Sequence, residues 1–438
     1  MLRGSAVSLL LLWQMGSAAA PSPSRHLRYQ REIVMPAHAN RQACFALDAA
    51  VFAHTESMAA GDVRIYGLDA RREFEVPFAM IESGPATLET QTATPLNIAV
   101  HDGELTFDLA MPGGDYTEVD LELNAKNFIG AAQVAGEDAD GHRTPLGTFA
   151  VFDLSAQRLA RSTVLSLPDS SYPVLHVVLR LVNPEGQPMS VAPQMIAGAT
   201  VPPGREEQTH YTTIASSSNV EQQGHWSIAT MTVPAHVPVE RAQFVLAPGF
   251  QVDFLRDATV AASPTTAGLD ALGAAEGVSG HIFRVIHSAI AGIAPAIDSQ
   301  QMTIDTVIGA NLRSPAKVMA SVDNGLASPL PIVRVDLQMR ERQLCFDARP
   351  DTSYTLHYGD AELSAPSYGY ARRFVAEARP TAAALGPEER NPNYVPAGAD
   401  EPQGRPGREL PWLLLIAGIV VAGVTALQFV RHKREGIG

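Results

Sequence analysis

The chain has 438 residues, 46% of them hydrophobic, and a formal net charge of −14, from 46 Asp and Glu against 32 Lys and Arg. That is length for two or three domains of about 100–200 residues each, with enough apolar content for real cores. With no stripe of Lys and Arg to neutralise phosphates, the acidic balance excludes nucleic acid and anionic lipid headgroups as expected partners.

Residues 1–20 carry one cation (Arg3), an apolar stretch and the small-residue run Ala18-Ala19-Ala20 before Pro21, which reads as a cleaved secretory signal. Residues 21–94 form a small N-terminal β unit, with strands expected at 62–66 and 74–78. Residues 95–204 follow as a first β-sandwich. Here Leu105-Thr106-Phe107-Asp108-Leu109 and Val119-Asp120-Leu121-Glu122-Leu123 alternate apolar with polar side chains, the period of a sheet with one wet face. Asp138-Ala139-Asp140-Gly141, Asn183-Pro184-Glu185-Gly186 and Asp323-Asn324-Gly325 mark turns. Short strands with frequent turns predict antiparallel sheets packed face to face.

Residues 205–378 read as a second sandwich. Leu109-Ala110-Met111-Pro112 and, sixteen positions past its proline, Phe128 are matched by Met231-Thr232-Val233-Pro234 and Phe250, each pair offset by 122. Pro168-Asp169-Ser170-Ser171-Tyr172 echoes Pro350-Asp351-Thr352-Ser353-Tyr354 at an offset of 182. The difference of 60 predicts an insertion in the second copy, near 261–299. Residues 379–409, rich in Pro, Gly, Ala and charge, read as a disordered stalk. Residues 410–430, opening at Leu410 and closing at Val430, carry no charge and are followed by Arg431-His432-Lys433-Arg434. Such a run covers roughly 30 Å as a helix, so it is read as one C-terminal transmembrane helix, with 431–438 as a cytoplasmic tail. A single-pass protein with its bulk in the periplasm and its C-terminus inside the cell follows. The absence of any Asn-X-Ser/Thr sequon leans toward a bacterial envelope. An oxidising compartment permits a bridge between Cys44 and Cys345, but the two lie far apart in sequence and two buried thiols remain the alternative.

The run Asn127-Phe128-Ile129, Val134, Gly136-Glu137-Asp138-Ala139-Asp140-Gly141, Leu146, Phe152-Asp153-Leu154, Arg161-Ser162-Thr163, Ser171-Tyr172 and Leu175-His176-Val177 resembles a discoidin-type, galactose-binding-like jelly roll. The whole plan of signal, small β unit, two sandwiches and one span is similar to the bacterial domain-of-unknown-function family 3999. The segments Tyr354-Thr355-Leu356-His357-Tyr358-Gly359 and Ala365-Pro366-Ser367-Tyr368 also look like that family. The resemblance implies an all-β protein of tandem galactose-binding-like sandwiches, and a multi-pass inner-membrane protein as partner. Discoidin-type domains often place a Trp just after the hairpin glycine; Arg143-Thr144-Pro145 stands there instead.

Signatures of catalysis are missing. There is no His-Glu-X-X-His, Gly-X-Ser-X-Gly, phosphate loop or Cys-X-X-Cys. No enzyme activity and no cofactor are expected. Asp138 and Asp140 on the Glu137–Gly141 turn have the chemistry for a hard cation, but the spacing of a full calcium loop is incomplete, so a hairpin turn is preferred. His210, His225 and His236 fall on alternating strands and loops and should point in different directions, against a metal site. For a glycan, gripped by aromatic faces, the weak candidates are Trp226, where core packing is the preferred reading, and Tyr368 with Tyr370, which could face one side of a strand. The expected function is binding or scaffolding in the bacterial envelope, with a carbohydrate-binding accessory protein or carbohydrate-active enzyme as the alternative.

Overall fold

The computed structural model describes residues 23–36, 41–70, 72–84, 89–202, 209–265, 276–291, 294–377 and 379–396. The signal and membrane-span expectations lie outside these residues. Among the described residues no helix is long and apolar enough to cross a membrane. The described residues form an all-β architecture, its strands paired antiparallel except for one short parallel pair, with one short α-helix among them, α1 (Ala49–His54). Asp48 caps α1 by accepting from the amides of Ala50 (3.1 Å) and Val51 (3.2 Å).

The N-terminal unit contributes β1 (Tyr29–Val34), β2 (Gln42–Ala46), β3 (Arg64–Leu68), β4 (Glu73–Val76) and β5 (Phe78–Glu82). Pro77 separates β4 from β5, splitting what the alternation reads as one strand. The first sandwich is β6 (Gln91–His101), β7 (Glu104–Ala110), β8 (Tyr116–Leu123), β9 (Phe128–Glu137), β10 (Arg143–Asp153), β11 (Arg161–Ser162), β12 (Val164–Ser170), β13 (Val174–Val182) and β14 (Ile196–Val201). The second is β15 (Tyr211–Ser217), β16 (Val220–Gln223), β17 (Trp226–Val233), β18 (Arg241–Leu246), β19 (Phe254–Pro264), β20 (Glu276–His287), β21 (Ile297–Gln301), β22 (Thr303–Asp305), β23 (Ala316–Asp323) and β24 (Ile332–Arg340). The C-terminal part adds β25 (Arg342–Asp347), β26 (Ser353–Tyr358), β27 (Thr381–Ala382), β28 (Ala384–Leu385) and β29 (Glu389–Arg390).

Strand order reveals the duplication more firmly than the short sequence matches do. The first sandwich runs β11-β10-β9-β13-β7-β6-β14-β8-β12, with β6 bending from one layer into the other. Residues Gln91 to Ala93 of β6 pair with β14, and the rest with β7. The second runs β21-β20-β19-β23-β17-β16 in one layer and β15-β24-β18-β22 in the other. Each strand has its counterpart in chain order, with β6 divided into β15 and β16. Inward side chains fill each sandwich: Leu105, Phe107, Leu109, Phe128, Val134, Leu175 and Val177 in the first, Ala229, Val233, Phe244, Phe254, Val260 and Val318 in the second.

The register corrects two details of the sequence reading. Phe128 opens β9 and is fully buried; its counterpart, opening β19, is Phe254 at 2% exposure, an offset of 126. Phe250 sits four residues earlier in the loop, packed against Phe254 with ring centroids 6.1 Å apart. The 168–172 and 350–354 echo is coincidental, since one ends β12 and the other leads into β26 of a different unit. The 60-residue insertion falls with it. From β9 to β13 is 46 residues and from β19 to β23 is 62, so the second copy gains 16, spread over several connections.

The expected domain boundaries shift most at the two ends of the chain. Strands β25 and β26, assigned by sequence to the second sandwich (205–378), instead complete the N-terminal unit: one sheet runs β28-β1-β26-β3-β4 with β29 also on β1, and the facing sheet runs β27-β2-β25-β5. Cys44 lies directly opposite Cys345 and the two form a disulfide across 301 residues. Residues 379–396, expected as stalk, pair along β1 and β2 and bury Thr381 and Asn391. Pairing to a sheet edge uses backbone groups, so this segment needs little apolar content of its own to be ordered. This terminal unit and the second sandwich share one continuous apolar cluster, while the first sandwich has its own. A smaller cluster of Ile129, Phe152, Leu154, Val182, Val285 and Ile297 joins the two sandwiches.

Candidate functional site

On the outer face of the first sandwich, His176 of β13 stands between Asp108 of β7 (2.5 Å to Nδ1) and Glu137 of β9 (2.7 Å to Nε2). Strand alternation puts these three on the side away from the core, because Leu175, Val177, Phe107 and Leu109 take the inward positions. Arg143 Nε donates to Glu137 at 2.8 Å and Asn97 donates to Asp108 at 2.7 Å. Hydrogen bonds from Arg143 and His176 hold the Glu137 carboxyl below the usual carboxylate range. The row fastens β6, β7, β13, β9 and β10 together through side-chain hydrogen bonds.

The turn at the end of β9 carries Asp138, Asp140 and His142, with one donor atom of each within 4.8 Å of the others. The Asp138 carboxylate already accepts from the amides of His142 (2.9 Å) and Asp140 (3.0 Å), which hold it below its ordinary range, the His142 amide most. Gly141 takes the positive φ of +81° that closes the turn. A hairpin turn accounts for every one of these contacts. His210, His225 and His236 do not converge: His236 Nδ1 meets the Thr55 carbonyl at 2.7 Å, His225 lies 3.8 Å from Asp323, and the His210 backbone contacts Ser83 and Glu341.

The aromatic candidates separate. Trp226 opens β17 on the face opposite Ser227 and Ala229, half-buried, with its ring tilted against His225 at 5.0 Å; it is an outer-face residue and takes no core position. Its row continues across the sheet through Asp323, Asp257 and His281. Tyr368 and Tyr370 lie in the connection after β26, so strand alternation does not apply to them. The Tyr368 hydroxyl is hydrogen-bonded to Glu75 and its ring meets Phe78 edge-on at 5.2 Å. Tyr370 bonds Asp347 at 3.3 Å, and burial, then that carboxylate, pushes its hydroxyl up to about 12.

Two clefts lie between the sandwiches. One, of about 390 Å³, is floored by Glu104, Gln133, Thr148 and Arg180 and walled by Ile290 and Pro295. The other, of about 540 Å³, runs from Asp120 and Arg161 to Phe283 and Gln301. A third, of about 340 Å³, sits where the two ends of the fold meet and is lined by Arg28, Arg390, Asn391, Tyr394 and Pro396. The Arg28 guanidinium lies over the Tyr394 ring, 5.4 Å from its centroid. Beneath it Asn391 donates to the carbonyls of Ser24 (3.0 Å) and Leu27 (2.9 Å). Sequence reasoning missed this third cleft because its residues come from opposite ends of the chain.

No protein-family model matches the chain, and no curated protein does. Among solved structures, a glycoside hydrolase 29 family member from an unknown rumen bacterium is 12% identical with a TM-score of 0.18, covering 56% of this chain and 40% of its own. The chain thus spans less than half of that relative's length. The CBM22-1–CBM22-2 tandem of Paenibacillus barcinonensis Xyn10C is 7% identical with a TM-score of 0.16, covering 63% of this chain and 99% of that one. Truncated AlyQ with CBM32 and alginate lyase domains is 8% identical, TM-score 0.16, over 64% and 98%. Likenesses this slight carry no argument.

Proposed function

We propose that this is an exported, single-pass protein of the bacterial inner membrane whose two tandem sandwiches, galactose-binding-like in topology, act as a binding scaffold in the periplasm, with catalysis no part of its role. The observation that carries the reading is the meeting of the two ends. The Val395 amide donates to the Arg25 carbonyl at 2.8 Å, and Asn391 grips Ser24 and Leu27. Chain entry and exit at one corner make a base from which both sandwiches can be displayed, with residues 410–430 as the anchor and a multi-pass membrane protein as partner. The Cys44–Cys345 disulfide suits an oxidising compartment. Similarity to the domain-of-unknown-function family 3999 supports the same arrangement.

A second reading, a carbohydrate-binding accessory protein or carbohydrate-active enzyme, is favoured by one observation: Trp226 lies on the outer sheet face beside the carboxylates of Asp323 and Asp257, where an indole can stack on a sugar. Fractionation with enzyme assays separates the two. The scaffold reading expects the full chain in the membrane after alkaline washing, digestion of its bulk by periplasmic protease, and no turnover of glycan, peptide or ester. Release by the wash removes the anchor. Steady turnover abolished by changing one carboxylate promotes the enzyme reading.

A further inference from the structure

The larger of the two clefts between the sandwiches, of about 540 Å³, takes one wall from each. From the first sandwich come Asp120, Glu122 and Asn124; alternation with the buried Val119, Leu121 and Leu123 sets the two β8 carboxylates on the wet face. Arg161 of β11 closes that wall. Its guanidinium donates to the Leu123 carbonyl at 2.8 Å and lies 3.8 Å from the buried Asp153 carboxylate. From the second sandwich come Phe283 of β20 and Gln301 of β21, directly opposite in the register and so on one face. Phe283 also packs on the joint between the sandwiches, against the cluster that contains Leu154 and Ala160, the residue before Arg161.

The polar groups of this cleft are held in place but not saturated. One Asp120 oxygen accepts from the Thr163 hydroxyl at 2.7 Å, which leaves the other without a partner among the described residues. Glu122 is exposed and makes no side-chain hydrogen bond among those residues. Its carboxylate lies across β14 at Gly198, where a Cβ would stand 2.6 Å from Oε2. Arg161 keeps N–H groups to spare. Two carboxylates against one guanidinium disfavour an anion, and the guanidinium disfavours a simple cation. A hydroxyl both donates and accepts, so an uncharged ligand with many hydroxyls serves acceptors and donor alike. The half-buried Phe283 ring supplies an apolar face beside them.

We propose that this cleft binds a neutral saccharide, with one sugar ring against Phe283 and its hydroxyls shared among Asp120, Glu122 and Arg161. The volume falls within the range of about 300–1,000 Å³ usual for small-ligand sites, which domain interfaces commonly provide. The scaffold reading names no ligand, so the inference goes beyond it and needs no membrane anchor. Nor does it depend on Trp226, which opens a strand three places from β20 in the same sheet, about 14 Å away. Because the two walls belong to different sandwiches, a bound sugar also steadies the joint between them.

The test titrates the full chain in detergent with maltotriose, mannotriose, lactose and N-acetylated chitotriose, and with trigalacturonate as the charged counterpart. Calorimetry reads affinity, and amide hydrogen exchange over residues 118–124 and 281–285 reads location. At least one neutral sugar binds and slows exchange in both segments by about threefold or more, while trigalacturonate does neither. Arg161→Gln and Glu122→Ala each weaken that binding by about tenfold. Arg161→Gln also gives up the Leu123 contact, so Glu122→Ala, on an exposed side chain with no partner to lose, is the deciding variant. No binding by any of the four neutral sugars, equal binding of trigalacturonate, or affinity unchanged by Glu122→Ala overturns the proposal and leaves the scaffold reading standing. Protection confined to residues 224–230 overturns it in favour of a sugar on the Trp226 face.

Discussion

Removing the disulfide tests the closed terminal unit at a predictable place. Cys44 and Cys345 are 301 residues apart, so the bridge closes most of the described chain into a loop. The chain-entropy expression gives about 19 cal/mol/K, or about 5.7 kcal/mol at 25 °C, as the ceiling for a loop of this length, and native bridges deliver about 2–5 kcal/mol. Cys44→Ser with Cys345→Ser should therefore cost about 3–5 kcal/mol and lower the urea midpoint by roughly 1–2 M. The location of the effect discriminates. The terminal unit and the second sandwich share one apolar cluster, so the loss should appear in the transition reported by Trp226, the single tryptophan of residues 21–396, although Trp226 is in neither disulfide-bearing strand. The first sandwich has a separate core and should keep its midpoint, followed by hydrogen exchange in β9 and β13. An unmoved Trp226 transition, or an equal drop in the first sandwich, would show that the bridge does not stabilise the shared core of the terminal unit and the second sandwich.

Phe128→Ala and Phe254→Ala should each cost about 3–5 kcal/mol but in different cores, so calorimetry should show the first lowering the transition that Trp226 does not report and the second lowering the one that it does. Burial pushes His357 down to about 4 against an ordinary 6.5, so the folded chain keeps it neutral where the unfolded chain takes up a proton. Stability should fall as pH drops from about 6.5 to about 4, by up to about 3 kcal/mol, and urea midpoints of His357→Gln should lose that part of the slope.

Individual strands were legible because their information is local. The alternation in 105–109 and 119–123 reappears as β7 and β8, and the turns at Gly141, Gly186 and Gly325 all adopt positive φ. Duplication was half legible: the Leu109 and Met231 motifs do lie on counterpart strands, but four extra residues before β19 moved the aromatic from the Phe250 expectation to Phe254. Closure of the terminal unit was not legible. Its pairings, Tyr29 with Tyr358 and Cys44 with Cys345, join residues about 300 positions apart and leave no periodic trace. For the same reason Arg28 and Arg390 drew no notice, whereas Trp226 was noticed from composition and its face was decided by the register of β17.

Whether the anchored protein binds a membrane partner is decided by crosslinking in intact cells followed by copurification. The full chain should bring down one multi-pass membrane protein, and a chain ending at Pro396 should recover far less of it. Equal recovery with and without residues 397–438, or no membrane partner for either form, would rule out an anchored scaffold.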